Sequence, residues 1–204
     1  MDVDYKESAT EYDKQVKEYD SYSHDVIFGM CFEYVKPNDK LLDLGIGTGL
    51  SSIHFSNIGL KVYGLDRDED MLNRCRSKSF AVELKQHDLT QNQIPYPDKF
   101  FNHIVCGGVL HFIDDLEQLF SEITRVTTKG SIFAFTFAPN PKDEDYTKQD
   151  TAWGVPIFTH SPTYIYNLLK FNSIKLLKEQ RLLMKGADKI NYDMLFSVMV
   201  TQIQ

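Results

Sequence analysis

The stretch that most constrains this chain is Leu41-Leu42-Asp43-Leu44-Gly45-Ile46-Gly47-Thr48-Gly49-Leu50. Leu41 to Leu44 reads as a buried strand, broken once by the acid Asp43. Three glycines at alternate positions follow, and Ser51-Ser52-Ile53-His54-Phe55 then opens a helical pattern. A strand that passes through glycines into a helix start brings backbone N–H groups and a positive dipole end to one point. Glycine lets the turn tighten and lets a ligand approach the backbone. An ordinary glycine-rich turn would carry the same three residues, so the next strand decides. That strand, Leu60-Lys61-Val62-Tyr63-Gly64-Leu65-Asp66, ends in an acid. In a nucleotide-binding α/β unit, an acid at the end of the second strand accepts hydrogen bonds from ribose hydroxyls.

The length of 204 residues suits one domain with a full core. Apolar residues make up 42% and charged residues 25%, as in an ordinary soluble globular protein. A net charge of −7, with no Lys/Arg run, argues against nucleic acid as partner. Cys31, Cys75 and Cys106 form no Cys-x-x-Cys pair and suggest thiols in a reducing cytoplasm. The six histidines are scattered without metal-ligand spacing, so no metal site is expected. The first residues show no basic region leading into an apolar run, and no stretch approaches the roughly 20 apolar residues of a membrane span. Neither a secretory leader nor a membrane partner is expected, and oligomeric state is not readable.

Taken in order, residues 5–19 read as a helix with Tyr5, Tyr12, Val16 and Tyr19 on one face. That face either covers the domain or serves as a lid. A second helix over 23–34 ends at Pro37-Asn38-Asp39. After the first strand, 40–44, a helix should occupy 49–58 with Gly59 beyond its end. Asp68 suits the N-cap of a helix over 69–77. Strands over 81–86, 103–106 and 131–137 follow, with a helix opening at Asp114-Asp115 between the last two. Residues 138–160 read as an irregular, charged segment. A helix over 162–171 and strands over 174–184 and 192–202 close the chain.

Asp43-Leu44-Gly45-Ile46-Gly47-Thr48-Gly49 and Asp66-Arg67-Asp68-Glu69-Asp70-Met71-Leu72 resemble two successive motifs of the class I S-adenosylmethionine-dependent methyltransferases, in their small-molecule branch. The resemblance covers roughly 40–137. It departs at Lys129-Gly130-Ser131, where the family usually carries a Pro-Gly-Gly-like turn. The resemblance implies a single-domain α/β three-layer sandwich: a seven-stranded, mostly parallel sheet with a final antiparallel strand. It divides the chain into a helical lid (1–36), a cofactor core (40–137), a substrate-side segment (138–160) and a closing helix with a strand pair (161–204).

The resemblance also implies a cofactor, S-adenosylmethionine, with S-adenosylhomocysteine as product. Its site would draw on Tyr12, Asp43, Gly45, Gly47, Thr48, Gly49, Asp66, Arg67, Met71, Asp88, Leu89, Cys106 and Gly107. By the resemblance, Tyr12-Asp13 reaches the methionine end and Asp88 the adenine amino group. Arg67 flanks the base or lies in solvent. The segment after strand four should meet the methyl acceptor, a small molecule, because ligands bind outside the C-terminal ends of parallel strands. His111 lies there, and its ordinary pKa near 6.5 would suit a base. Two rivals remain: a protein that binds the cofactor without catalysis, and a nicotinamide-dependent oxidoreductase. The second needs a glycine where this chain has Leu50.

Overall fold

The computed structural model describes residues 5–18, 21–91, 93–142, 144–151, 154–185 and 193–204. The helices are α1 Tyr5–Glu18, α2 Ser23–Cys31, α3 Ser52–Asn57, α4 Glu69–Ser77, α5 Glu117–Val126 and α6 Pro162–Phe171. The strands are β1 Lys40–Leu44, β2 Lys61–Asp66, β3 Glu83–Gln86, β4 Phe101–Cys106, β5 Thr127–Phe137, β6 Tyr146–Gln149, β7 Ile157–His160, β8 Ile174–Lys185 and β9 Asp193–Ile203.

Seven strands form one sheet in the order β3-β2-β1-β4-β5-β9-β8. β1 pairs in parallel with β2 and β4, β2 with β3, and β4 with β5. β9 runs antiparallel to both β5 and β8. The chain reverses its direction of travel across the sheet at β1, whose neighbours are β2 and β4. The C-terminal ends of β1 and β4 therefore open the crevice where α/β sheets bind ligands.

Helices cover both faces, so the strands must be apolar on both sides. On one face Ile27 and Cys31 of α2, Phe55 of α3 and Leu72 of α4 pack onto Val62, Val105 and Ala134. On the other, Phe120 and Ile123 of α5 and Ile165 of α6 pack onto Ile104, Phe133 and Phe135. The sides of β5 differ in size: Phe133, Phe135 and Phe137 face α5, while Ala134 lets α2 come close. The Phe120 ring meets Phe133 and Phe135 edge-on at 5.4 and 5.6 Å. Double coverage also explains β9, where residues 196–201 are all buried.

Several boundaries differ from the sequence reading. α3 begins at Ser52, because the Gly49 N–H bonds back to the Ile46 carbonyl at 2.8 Å and keeps the chain in a turn. Gly59, at φ +94°, does end that helix. α4 has the expected cap: Asp68 accepts from the N–H groups of Asp70 and Met71. α5 begins at Glu117, with Asp115 accepting from the Glu117 N–H at 2.9 Å. The 138–160 segment is not irregular throughout. β6 and β7 pair antiparallel within it, and the Ala138 carbonyl accepts from the His160 N–H. Tyr19, noted in the sequence reading, lies outside the described residues. Among the described residues no helix is long and apolar enough to cross a membrane.

Candidate cofactor site

The site is built from the turn after β1. The Leu65 carbonyl accepts from both the Gly45 and Ile46 N–H groups, at 2.8 and 2.9 Å, which ties this turn to the end of β2. Gly45 has φ +72°, and a Cβ there would lie 2.3 Å from Cγ2 of Val109. Any side chain would push the turn off the segment that follows β4. Gly47 is different. It has φ +54°, and a Cβ there would meet no atom within 4 Å. Its N–H donates to Oδ2 of Asp66 at 2.7 Å.

Asp66 therefore faces the turn. Its Oδ1 accepts from the Asp68 N–H at 2.9 Å. Burial raises its pKa, while these two N–H groups favour the charged form. Asp43 sits beneath the turn, 1% exposed, and accepts from the Ser52 hydroxyl. Burial, with the charge of Asp66 adding to it, pushes Asp43 up to about 7. Asp43 thus fixes the start of α3 below the turn. Gly49 packs on Phe80 and Cys75, and Gly107 on Ile27 and Ser51. Cys106 is fully buried, and its thiol pKa is raised well above the ordinary value.

The α1 helix docks on this turn through Asp13. Its Oδ1 accepts from the Thr48 hydroxyl at 2.5 Å, and its Oδ2 lies 2.7 Å from Nζ of Lys78, just past α4. Burial opposes the charged form of Asp13, but Lys78 and Thr48 outweigh it and its pKa falls. The Thr48 hydroxyl is therefore engaged by α1. Tyr12 stands beside Asp13. Burial raises its pKa, and so do the carboxylates of Asp13 and Asp66.

On the far side, Asp88 Oδ1 accepts from the N–H and hydroxyl of Thr90, at 2.9 and 2.8 Å. Its Oδ2 makes no hydrogen bond among the described residues. Arg67 is exposed, and its charge acts on Asp88. Its guanidinium lies 5.9 Å from the Phe112 ring centre. Leu89 is half-buried against the core, and the Met71 N–H serves the α4 cap.

His111 follows β4 as expected. Burial, with His160 nearby, pushes its pKa down to about 4. Among the described residues no counter-charge compensates for taking the imidazolium out of water. Its Nδ1 is buried without a partner among the described residues, and so is that of His160. His160 is fully buried at the end of β7, with Nε2 3.1 Å from the Asp114 carbonyl. Nothing in the sequence marked His160. It lies far from His111 along the chain, and only the docking of β7 beside residues 110–114 joins them. The Thr136 hydroxyl, also unmarked, accepts from the Gly108 N–H at 2.7 Å and holds the same loop.

The strand order, the glycine turn and the acid ending β2 together form a nucleotide-binding α/β crevice. Residues 42–135 match the family model described as a methyltransferase domain. A demethylmenaquinone methyltransferase from Bacillus mycoides is 38% identical over 102 residues, covering 47% of this chain and 43% of the relative. The chain thus matches less than half the length of that curated relative. A methyltransferase structure from Methanosarcina mazei superposes with a TM-score of 0.71 at 14% identity, over 85% of this chain and 96% of that one. The [4+2]-cyclase SpnF superposes with a TM-score of 0.67 at 16% identity, over 88% of this chain and 79% of that one. Likeness at such identities shows the fold alone.

Proposed function

We propose that the protein transfers the methyl group of S-adenosylmethionine to a small-molecule acceptor, leaving S-adenosylhomocysteine. The observation that carries this reading is Gly47: left-handed, open on its Cβ side, and held by Asp66 at the C-terminal edge of the parallel strands. A side chain at Gly47 would fill the space that a cofactor against the turn requires. Asp66 accepts from the ribose hydroxyls, and Asp88, through Oδ2, from the adenine amino group. Arg67 and Phe112 flank the base. Tyr12, on the lid, covers the cofactor from the side of Asp66. Asp43, Thr48, Gly49, Cys106 and Gly107 shape the turn from below, while Leu89 and Met71 line its rim.

The sulfonium of the bound cofactor supplies an electrophilic methyl group. The chain's task is then to align an acceptor against it and exclude water. His111 stays neutral at physiological pH. We assign it to lining the acceptor side with His160, since a group of pKa about 4 is a weak base. The 138–160 segment reaches the acceptor loop through His160 and Asp114, which supports a substrate-side role. The relatives' name makes a quinone-derived aromatic the first acceptor class to test. The free, buried Cys31, Cys75 and Cys106 suit a reducing cytoplasm.

One observation keeps a second reading in view: the same fold carries a protein described as a cyclase. Release of S-adenosylhomocysteine, measured with demethylated quinols, phenols and amines, separates the two. Turnover with any acceptor class supports transfer. Tight cofactor binding with no release from any of them would favour a non-catalytic or differently reacting protein.

A further inference from the structure

The histidines are scattered in sequence, yet the fold brings two of them to one carboxylate. His24 and Asp25 lie in the first turn of α2, and His54 lies in α3, the helix that leaves the glycine turn. Asp25 Oδ2 is 3.5 Å from Nε2 of His24, and Oδ1 is 3.2 Å from Nε2 of His54. One ligand-capable atom from each residue falls within 4.8 Å of the other two. The two imidazole rings are nearly parallel, 7° apart, with centres 6.3 Å from each other. The Phe28 ring stands 5.3 Å from that of His54 and walls one side. The Asp25 side chain is 50% exposed, so the other side is open to water.

Ion pairing explains either contact singly, but two protonated imidazoles at one carboxylate repel each other. A shared cation explains why both converge. Two donor atoms bound at about 2.0–2.2 Å to one ion and at right angles to each other lie about 3 Å apart. The histidine–carboxylate distances are of that size. Two imidazole nitrogens and a carboxylate oxygen suit borderline first-row metals, whereas magnesium and calcium prefer oxygen alone.

We propose that His24, Asp25 and His54 form a binding site for a first-row divalent transition metal ion such as Zn²⁺, Ni²⁺ or Co²⁺, with water completing the coordination. The ion ties α2 to α3 and so braces the helix that carries the glycine turn. The site is independent of the methyl-transfer reading, and its test needs no turnover.

Untagged, metal-free protein is titrated with Zn²⁺ by calorimetry and with Co²⁺ by visible absorption. One ion per chain should bind with micromolar affinity and raise the melting temperature. His24→Ala and His54→Gln should each weaken binding about tenfold or more while melting like the metal-free parent. The cobalt spectrum should lack thiolate charge-transfer bands. The proposal is overturned if the parent binds no ion at millimolar metal, or if the double variant binds as the parent does. Thiolate bands would overturn it too, because they would move the ion to a cysteine.

Discussion

Removing the Asp13 carboxylate tests how the N-terminal helix is held. Asp13→Ala deletes the acceptor of the Thr48 hydroxyl and the partner of Lys78. A hydrogen bond to a charged group contributes about 1.5–3 kcal/mol. The ion pair, with side chains 19% and 22% exposed, adds something above the roughly 0–1 kcal/mol of a surface pair. Loss of about 2 kcal/mol from docking corresponds to about a thirtyfold larger population of the undocked helix. Amide exchange in α1 should accelerate by that factor in Asp13→Ala, and by less in Thr48→Val, which keeps the ion pair. Because the pKa of Asp13 is lowered in the fold, the clasp is fully present above the unfolded value near 3.9 and is lost as pH falls through the folded value. S-adenosylhomocysteine affinity should drop with the docked population. Exchange rates in α1 that do not change in Asp13→Ala would refute the clasp.

Asp66→Ala should weaken S-adenosylhomocysteine binding at least about tenfold, since each hydrogen bond lost to a charged acceptor is worth about 1.5–3 kcal/mol; calorimetry on the folded variant checks it. Gly45→Ala and Gly47→Ala should separate fold from function. The first collides with Val109 and should lower stability by about 1–3 kcal/mol or more, measured by urea unfolding. The second costs only the left-handed strain of about 1–2 kcal/mol yet should abolish cofactor binding. His111 has a lowered pKa, so its neutral form stabilises the fold above about 6.5, and that contribution is lost as pH falls toward about 4. The shift from 6.5 to about 4 corresponds to about 3 kcal/mol, so His111→Gln should flatten the acid limb of a stability–pH curve by roughly that amount.

The parts of this protein that were legible in sequence are those fixed by local chemistry. Asp68 capping α4, Gly59 ending α3 and the glycines leaving β1 each answer a need of the backbone at their own position. The strand–helix alternation and the acid at Asp66 then imply the crevice. What could not be read depends on contacts between distant segments. Nothing local to Thr48 reveals that α1 returns to bond its hydroxyl. His111 looked like a base of ordinary pKa because the sequence does not show that β7 closes over it with His160. The β6–β7 pair was missed because Tyr146–Gln149 is short, polar and mostly exposed. The convergence of His24 and His54 exists only once α2 and α3 share a face of the sheet.

The central claim is that the turn at Gly47 and Asp66 holds S-adenosylmethionine. Calorimetric titration of the protein with S-adenosylmethionine, S-adenosylhomocysteine and NAD tests it directly. The account predicts saturable, one-to-one binding of the first two, lost in Gly47→Ala, and no heat with NAD. Binding of NAD, or binding of the sulfur cofactors that survives Gly47→Ala unchanged, would contradict it.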